Sequence, residues 1–220
     1  MKPLILINFK TYSEALGKKG ILLAKKLQKV QLKTKKFQIA LAPAVLDLEE
    51  VAKGVSLPVF AQHADSFALG AHTGSISVAE LKSISVQGTL LNHSEKKIPF
   101  AVLKKTVTLC KKYKLKTVVC ASSLVEVKKI ASLKPDYLAY EPPELIGGDI
   151  SVTQANPEII AQAVQAVKKI SPRTKVLCGA GVQSREDVRK ALELGALGVL
   201  IAHAVVKAKR PEKVLEKMMK

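Results

Sequence analysis

The sequence predicts an α/β fold, a single (β/α)8 barrel of parallel strands, and three observations carry that expectation. Short apolar runs rich in β-branched residues recur eight times along the 220 residues. Each run is nearly continuous instead of alternating, as expected of a parallel strand buried on both faces. A stretch with helix periodicity follows each run, so no two strands are consecutive and every connection is a crossover.

The strand candidates are Leu4–Asn8, 37–42, 59–63, 88–92, 117–121, Tyr137–Tyr140, 175–179 and 198–202. Between them, Leu23, Leu27 and Val30 stand at i, i+4 and i+7, and Ile160, Ala163, Val164 and Val167 at i, i+3, i+4 and i+7. Asn156-Pro157-Glu158 reads as a cap, a first-turn proline and an acid at the positive end of a helix. Ser184 and Asp187 have the S-x-x-D spacing of a capping box. Eight strand–helix units in this length leave no room for a linker or second domain, so residues 1–220 read as one catalytic domain. An open doubly wound sheet would be expected to carry Gly-x-Gly-x-x-Gly after its first strand, and the residues after Asn8 do not.

Composition narrows the class. No apolar stretch reaches the 18 or so residues of a membrane span. The apolar run after Lys2-Pro3 is too short for a secretory leader, so a cytoplasmic protein with no membrane partner is expected. Cys110, Cys120 and Cys178 are isolated from one another and read as reduced thiols serving as small core residues. The chain carries 36 basic and 18 acidic residues, net +18, and only four of the bases are Arg. Lysine pairs recur along the helices and aromatics are 4% of the chain, so no sequence-specific nucleic-acid reader is expected. The charge reads as a solvated surface that also attracts anions, phosphorylated substrates among them.

Barrel active sites form where the strands end. Reading only those positions gives Asn8 and Lys10, His63, His93 and Glu95, Glu141, Gly179 and Gly181, and Ala202 and His203. Glu141 closes a buried strand and precedes two prolines, so burial would raise its pKa and suit it to act as a base. His93 precedes what reads as a helix start, which would keep its imidazole neutral. Lys10 lies two residues past Asn8; in extended chain both would face the same way and present an ammonium to an anion. Gly179-Ala180-Gly181 and Ala202-His203-Ala204 precede helices and read as a backbone cradle for phosphate. Gly147-Gly148 could serve as the flexible end of a closing loop. His63, Asp65 and His93 are a conceivable metal set, though no acid ends strands 7 and 8 to complete it.

Taken together, Asn8-Phe9-Lys10, Gln62-His63, Gly70 through Ser75, Asn92-His93-Ser94-Glu95, Glu141 through Gly147, and Cys178 through Gly181 resemble the triosephosphate isomerase family along essentially the whole chain. The Pro-Pro-Glu-Leu segment, the Asn before His93 and the short length are similar to its archaeal branch. The resemblance implies a TIM barrel that interconverts dihydroxyacetone phosphate and glyceraldehyde 3-phosphate, in glycolysis and gluconeogenesis, with no cofactor and no metal. It implies Glu141 as base, His93 as electrophile, Lys10 as cation, Asn8 as their orienting partner and Glu95 as support. Substrate contacts are implied at Asn8, Phe9, Lys10, Ile146, Gly147, Gly181, Ala202 and His203. The turn from Gly70 to Ser75 is similar to the loop that this family inserts into a partner subunit, implying a homodimer or homotetramer. Two departures stand out: Ala202-His203-Ala204 where archaeal members usually read Ala-Ser-Gly, and Gly147-Gly148-Asp149 where the lid usually ends Gly-Thr-Gly. The alternatives are a metal-dependent phospho-sugar epimerase and a non-catalytic barrel that binds phosphate or nucleic acid.

Overall fold

A computed structural model describes residues 2–142 and 157–220. Eight strands form one parallel sheet: β1 (Leu4–Asn8), β2 (Gln38–Ala42), β3 (Phe60–Ala61), β4 (Gly88–Leu91), β5 (Lys116–Ala121), β6 (Tyr137–Tyr140), β7 (Lys175–Cys178) and β8 (Gly198–Ile201). Their order is β2-β1-β8-β7-β6-β5-β4-β3, with a parallel bridge between Leu41 and Val59 joining the two ends. The chain is therefore a (β/α)8 TIM barrel.

The helices among the described residues are α1 (Lys18–Lys33), α2 (Leu48–Gly54), α3 (Val78–Ser83), α4 (Phe100–Lys112), α5 (Leu124–Ala131), α6 (Pro157–Ile170), α7 (Arg185–Glu193), α8 (His203–Val206) and α9 (Pro211–Met218). α7 starts at a complete capping box: the Asp187 amide donates to Ser184 Oγ, and the Ser184 amide donates back to Asp187 Oδ2. Asn156, read from sequence as a cap, lies outside the described residues.

Two apolar layers follow from the two-residue period of a strand. Ile5, Ile7, Ile39 and Leu41 face outward into a large core shared with the helices, where Leu23, Leu27 and Val30 of α1 pack. Leu4, Leu6, Leu90, Val118, Ala139, Leu177 and Leu200 face inward and fill the barrel. Each wholly buried Leu or Ile contributes about 2 kcal/mol relative to exposure.

Strand 3 is shorter than its apolar run suggests, two residues where five were expected. Gln62 leaves the ladder so that its amide can reach the Lys10 and Ala42 carbonyls, at 3.0 Å each. His63 turns its Nε2 onto Asp65 Oδ1 at 3.2 Å.

Candidate active site

The inward-facing series continues past the strand ends and delivers side chains to one mouth of the barrel. After Leu4 and Leu6 comes Asn8; after Tyr137 and Ala139 comes Glu141; after Leu177 comes Gly179; after Leu200 comes Ala202. One cleft is lined by Asn8, Lys10, His93, Glu141, Gly179, Gly181, Ala202 and His203. Ile146 and Gly147, with the whole Gly147-Gly148-Asp149 stretch, lie outside the described residues.

Lys10 is not in extended chain. Its φ of 48° makes a left-handed turn, and its amide donates to Asn8 Oδ1 at 3.0 Å. Asn8 thus points at the backbone of the lysine it was expected to flank, and the Gln62 amide donates to the Lys10 carbonyl from the other side. The turn sends the ammonium to Glu95 Oε1 at 2.7 Å, with the Lys10 side chain only 15% exposed. Phe9, expected at the substrate, is wholly buried in the outer core and does not line the cleft, because the residue next to Asn8 faces the other side of the strand.

His93 caps a single 3-10 turn, Ser94–Lys96, too short for the helix dipole expected from sequence. A hydrogen bond takes over that role. The Glu95 amide donates to His93 Nδ1 at 3.2 Å. With Nδ1 accepting that amide, the ring presents Nε2–H as its donor. Nε2 points into the cleft, 3.7 Å from Glu141 Oε1.

Glu141 is 3% exposed, and Oε2 has no hydrogen-bond partner among the described residues. Burial pushes its carboxyl above the usual carboxylate range, against the opposing pull of His93 first, then of the Cys120 thiol and the Lys10 and Lys97 ammonium groups. Gly179 makes the space for it: a Cβ there would collide with Cγ of Glu141. Its amide donates to the Tyr140 carbonyl at 3.0 Å, so among the glycines expected at phosphate, Gly179 serves the base instead. Gly181, at φ 65°, remains at the cleft.

A polar cluster behind His93 was missed in the sequence. Asn92 has φ 58°; its Nδ2 donates to the Cys120 carbonyl at 2.9 Å and to Glu126 Oε1 at 2.7 Å, and its Oδ1 accepts the Ile98 amide. Burial raises the Glu126 pKa, but donors from the Ser122 hydroxyl and amide, Lys97 and Asn92 outweigh it and hold the carboxyl at about 2. The two ends of the His93–Lys97 turn are thereby fixed to the β5–α5 connection. Only the Asn before His93 signalled this, since Glu126 reads as an ordinary first-turn acid. The thiols are inert for a different reason: burial pushes Cys110 and Cys178 up to about 12 and raises Cys120 as well.

The protein-family model described as triosephosphate isomerase matches residues 3–218. The chain belongs to the triosephosphate isomerase family. It is 45% identical over 217 residues to triosephosphate isomerase of Methanocaldococcus jannaschii, covering 99% of both chains. It is 42% identical to that of Methanothermus fervidus, covering 99% and 98%, and 40% identical to that of Archaeoglobus fulgidus, covering 98% and 96%. These relatives are archaeal, as the Pro-Pro-Glu-Leu segment, Asn92 and the short length led us to expect.

Proposed function

We propose that the chain interconverts dihydroxyacetone phosphate and D-glyceraldehyde 3-phosphate, with Glu141 carrying the proton between C1 and C2. The observation that carries this reading is the buried Glu141 carboxylate, with Oε2 free of partners among the described residues and Oε1 3.7 Å from a protonated His93 Nε2. A desolvated carboxylate is a stronger base, and the neutral imidazole beside it can donate to the substrate carbonyl. Glu141 takes a proton from C1 of the ketose; the carbonyl oxygen gains charge and receives the Nε2 hydrogen bond. The C2 oxygen takes the Nε2 proton of His93, and the C1 hydroxyl returns its own proton to that nitrogen. Delivery of the carbon-bound proton to C2 then gives the aldose and restores the carboxylate. Lys10 lowers the cost of the enediolate and of the phosphate, while Asn8 and Glu95 hold the ammonium in position. Gly181, Ala202 and His203, at the mouth of strands 7 and 8, would meet the phosphate, and Ile146 and Gly147, outside the described residues, are proposed as further substrate contacts. Glycolysis and gluconeogenesis in the cytoplasm are the setting this implies; no helix among the described residues is long and apolar enough to cross a membrane.

A homodimer or homotetramer is part of the same reading. Residues 67–74 form an exposed excursion whose base is tied by Asp65 and Ile76, with Phe67 and His72 stacked at 4.4 Å. Beside the cleft lies a hollow of about 560 Å³ lined by Lys10, Leu16, Leu46, Gln62 and Glu95, and Leu46 is 95% exposed. A second copy's excursion seated there would cover that apolar surface and brace Lys10 and Glu95.

The test is a coupled assay starting from dihydroxyacetone phosphate, before and after prolonged chelator treatment. Turnover at enzymatic rates that survives chelation is expected. Activity lost with chelator and restored by a divalent ion would replace this reading with a metal-dependent epimerase.

A further inference from the structure

Much of the +18 charge lies away from the cleft, and one group of cations gathers at the opposite end of the barrel. The three connections that lead into β5, β6 and β7 are neighbours, because those strands are neighbours in the sheet. They hold four lysines between 111 and 116, then Lys134, then three lysines and Arg173 between 168 and 175. The acid among them is Asp136, and its carboxylate already accepts from the Thr117 amide and hydroxyl. None of the nine cations is ion-paired among the described residues, whereas Lys10, Lys33, Lys53, Lys97, Arg189 and Arg210 elsewhere each have a carboxylate within 4 Å.

Helix dipoles explain only part of this. Lysines in the last turns of α4 and α6 are favoured by the carbonyl ends of those helices. Lys114, Lys116, Lys134, Arg173 and Lys175 lie beyond the helix ends, where each like charge repels the rest. Lys114 and Lys134 also occupy left-handed positions, φ 56° and 53°, just after α4 and α5, where glycine is the usual residue; the equivalent place after α7 is Gly195. Lys111, Lys134 and Arg173 converge on a hollow of about 600 Å³. The buried hydroxyls at its wall are satisfied internally, Ser171 by Thr174 and Thr174 by the Pro135 carbonyl. Lys111 donates to the Leu133 carbonyl at 2.7 Å and Lys175 lies over the Tyr137 ring, but no carboxylate within 4 Å among the described residues neutralises any of these cations.

We propose that this pole binds the phosphate backbone of double-stranded nucleic acid without reading its sequence. Packed helices lie 8–10 Å apart, so the three connections span roughly 20 Å, a distance over which a duplex presents about a dozen phosphates. The aromatic in the first connection, Tyr113, is half-buried and packed against the core, so it offers little ring face to stack a base, which favours a duplex over a single strand.

The experiment measures binding of the full chain to a labelled mixed-sequence 20-base-pair duplex by fluorescence anisotropy between 50 and 200 mM salt. About five neutralised phosphates would give a log–log salt slope near −4.5. Lys114→Gly with Lys134→Gly removes two cations and relieves both left-handed lysines. The double variant should keep or raise its Tm, bind at least tenfold more weakly at 50 mM salt, and show a slope shallower by about 2. Isomerase activity should not change, so failure here and failure of the catalytic reading are separate outcomes. Lys25→Gln with Lys26→Gln on α1 removes the same charge from another face and should weaken binding less than threefold. No binding at 50 mM salt, equal losses in the two double variants, or tighter binding of the single strand would each overturn the proposal.

Discussion

At the residue scale, Glu141 decides the chemistry and its setting has a thermodynamic cost. A carboxyl whose folded-state pKa is raised binds its proton more tightly folded than unfolded. Its contribution to stability is therefore greatest below the unfolded value, near ~4.3, and is lost as pH rises through the folded value. At neutral pH the ionised side chain works against the fold, and the barrel core supplies the margin that tolerates it. The same shift sets the acid limb of catalysis. We expect kcat/KM to fall as pH drops through a midpoint above the ordinary carboxylate range, measured with a substrate correction for phosphate protonation. A midpoint at or below ~4.3 would mean that the working base is not a buried carboxylate.

At the element scale, what was legible in the sequence is what local period and apolar runs determine. Parallel strands buried on both faces announce themselves, and the two-residue period then indicates which residue reaches the barrel mouth. That is why Asn8 and Glu141 could be singled out, whereas His93 and His203, one residue out of that phase, were found only by lying just past the ends of strands 4 and 8. Features set by partners distant in sequence were not legible. Gly179 looks like a phosphate-binding glycine until the side chain of Glu141, 38 positions earlier, is packed against it. The turn of Lys10 needs Gln62, and the turn of His93 needs Glu126. Phe9 was placed at the substrate by the resemblance, although strand alternation turns it outward. The 67–74 excursion is likewise an element whose purpose lies outside its own segment. If it seats in a second copy, light scattering at micromolar concentration should report a dimer or larger. Phe67→Ala with Leu69→Ser should dissociate it and lower turnover, because Lys10 and Glu95 lose their cover. An active monomer of the unaltered chain would contradict the oligomer reading.

At the scale of the whole molecule, charge is sorted along the barrel axis. Helices α2, α3, α5, α6, α7 and α9 begin with acids, and the last turns of α1 through α7 and of α9 carry lysine. Dipole complementarity produces that sorting helix by helix. Its sum is a cleft in which Lys10 is set among carboxylates, with an excess of cations at the far pole. The central claim is narrower: one buried carboxylate, held by a packed strand end and faced by a neutral imidazole, moves the proton. Turnover of dihydroxyacetone phosphate by Glu141→Gln, measured beside its thermal unfolding, tests that claim most directly. The substitution keeps the shape, removes the base and removes the buried charge. We predict a loss of at least ~10²-fold in kcat with Tm unchanged or higher; a near-wild-type rate from a folded Glu141→Gln protein would contradict the account.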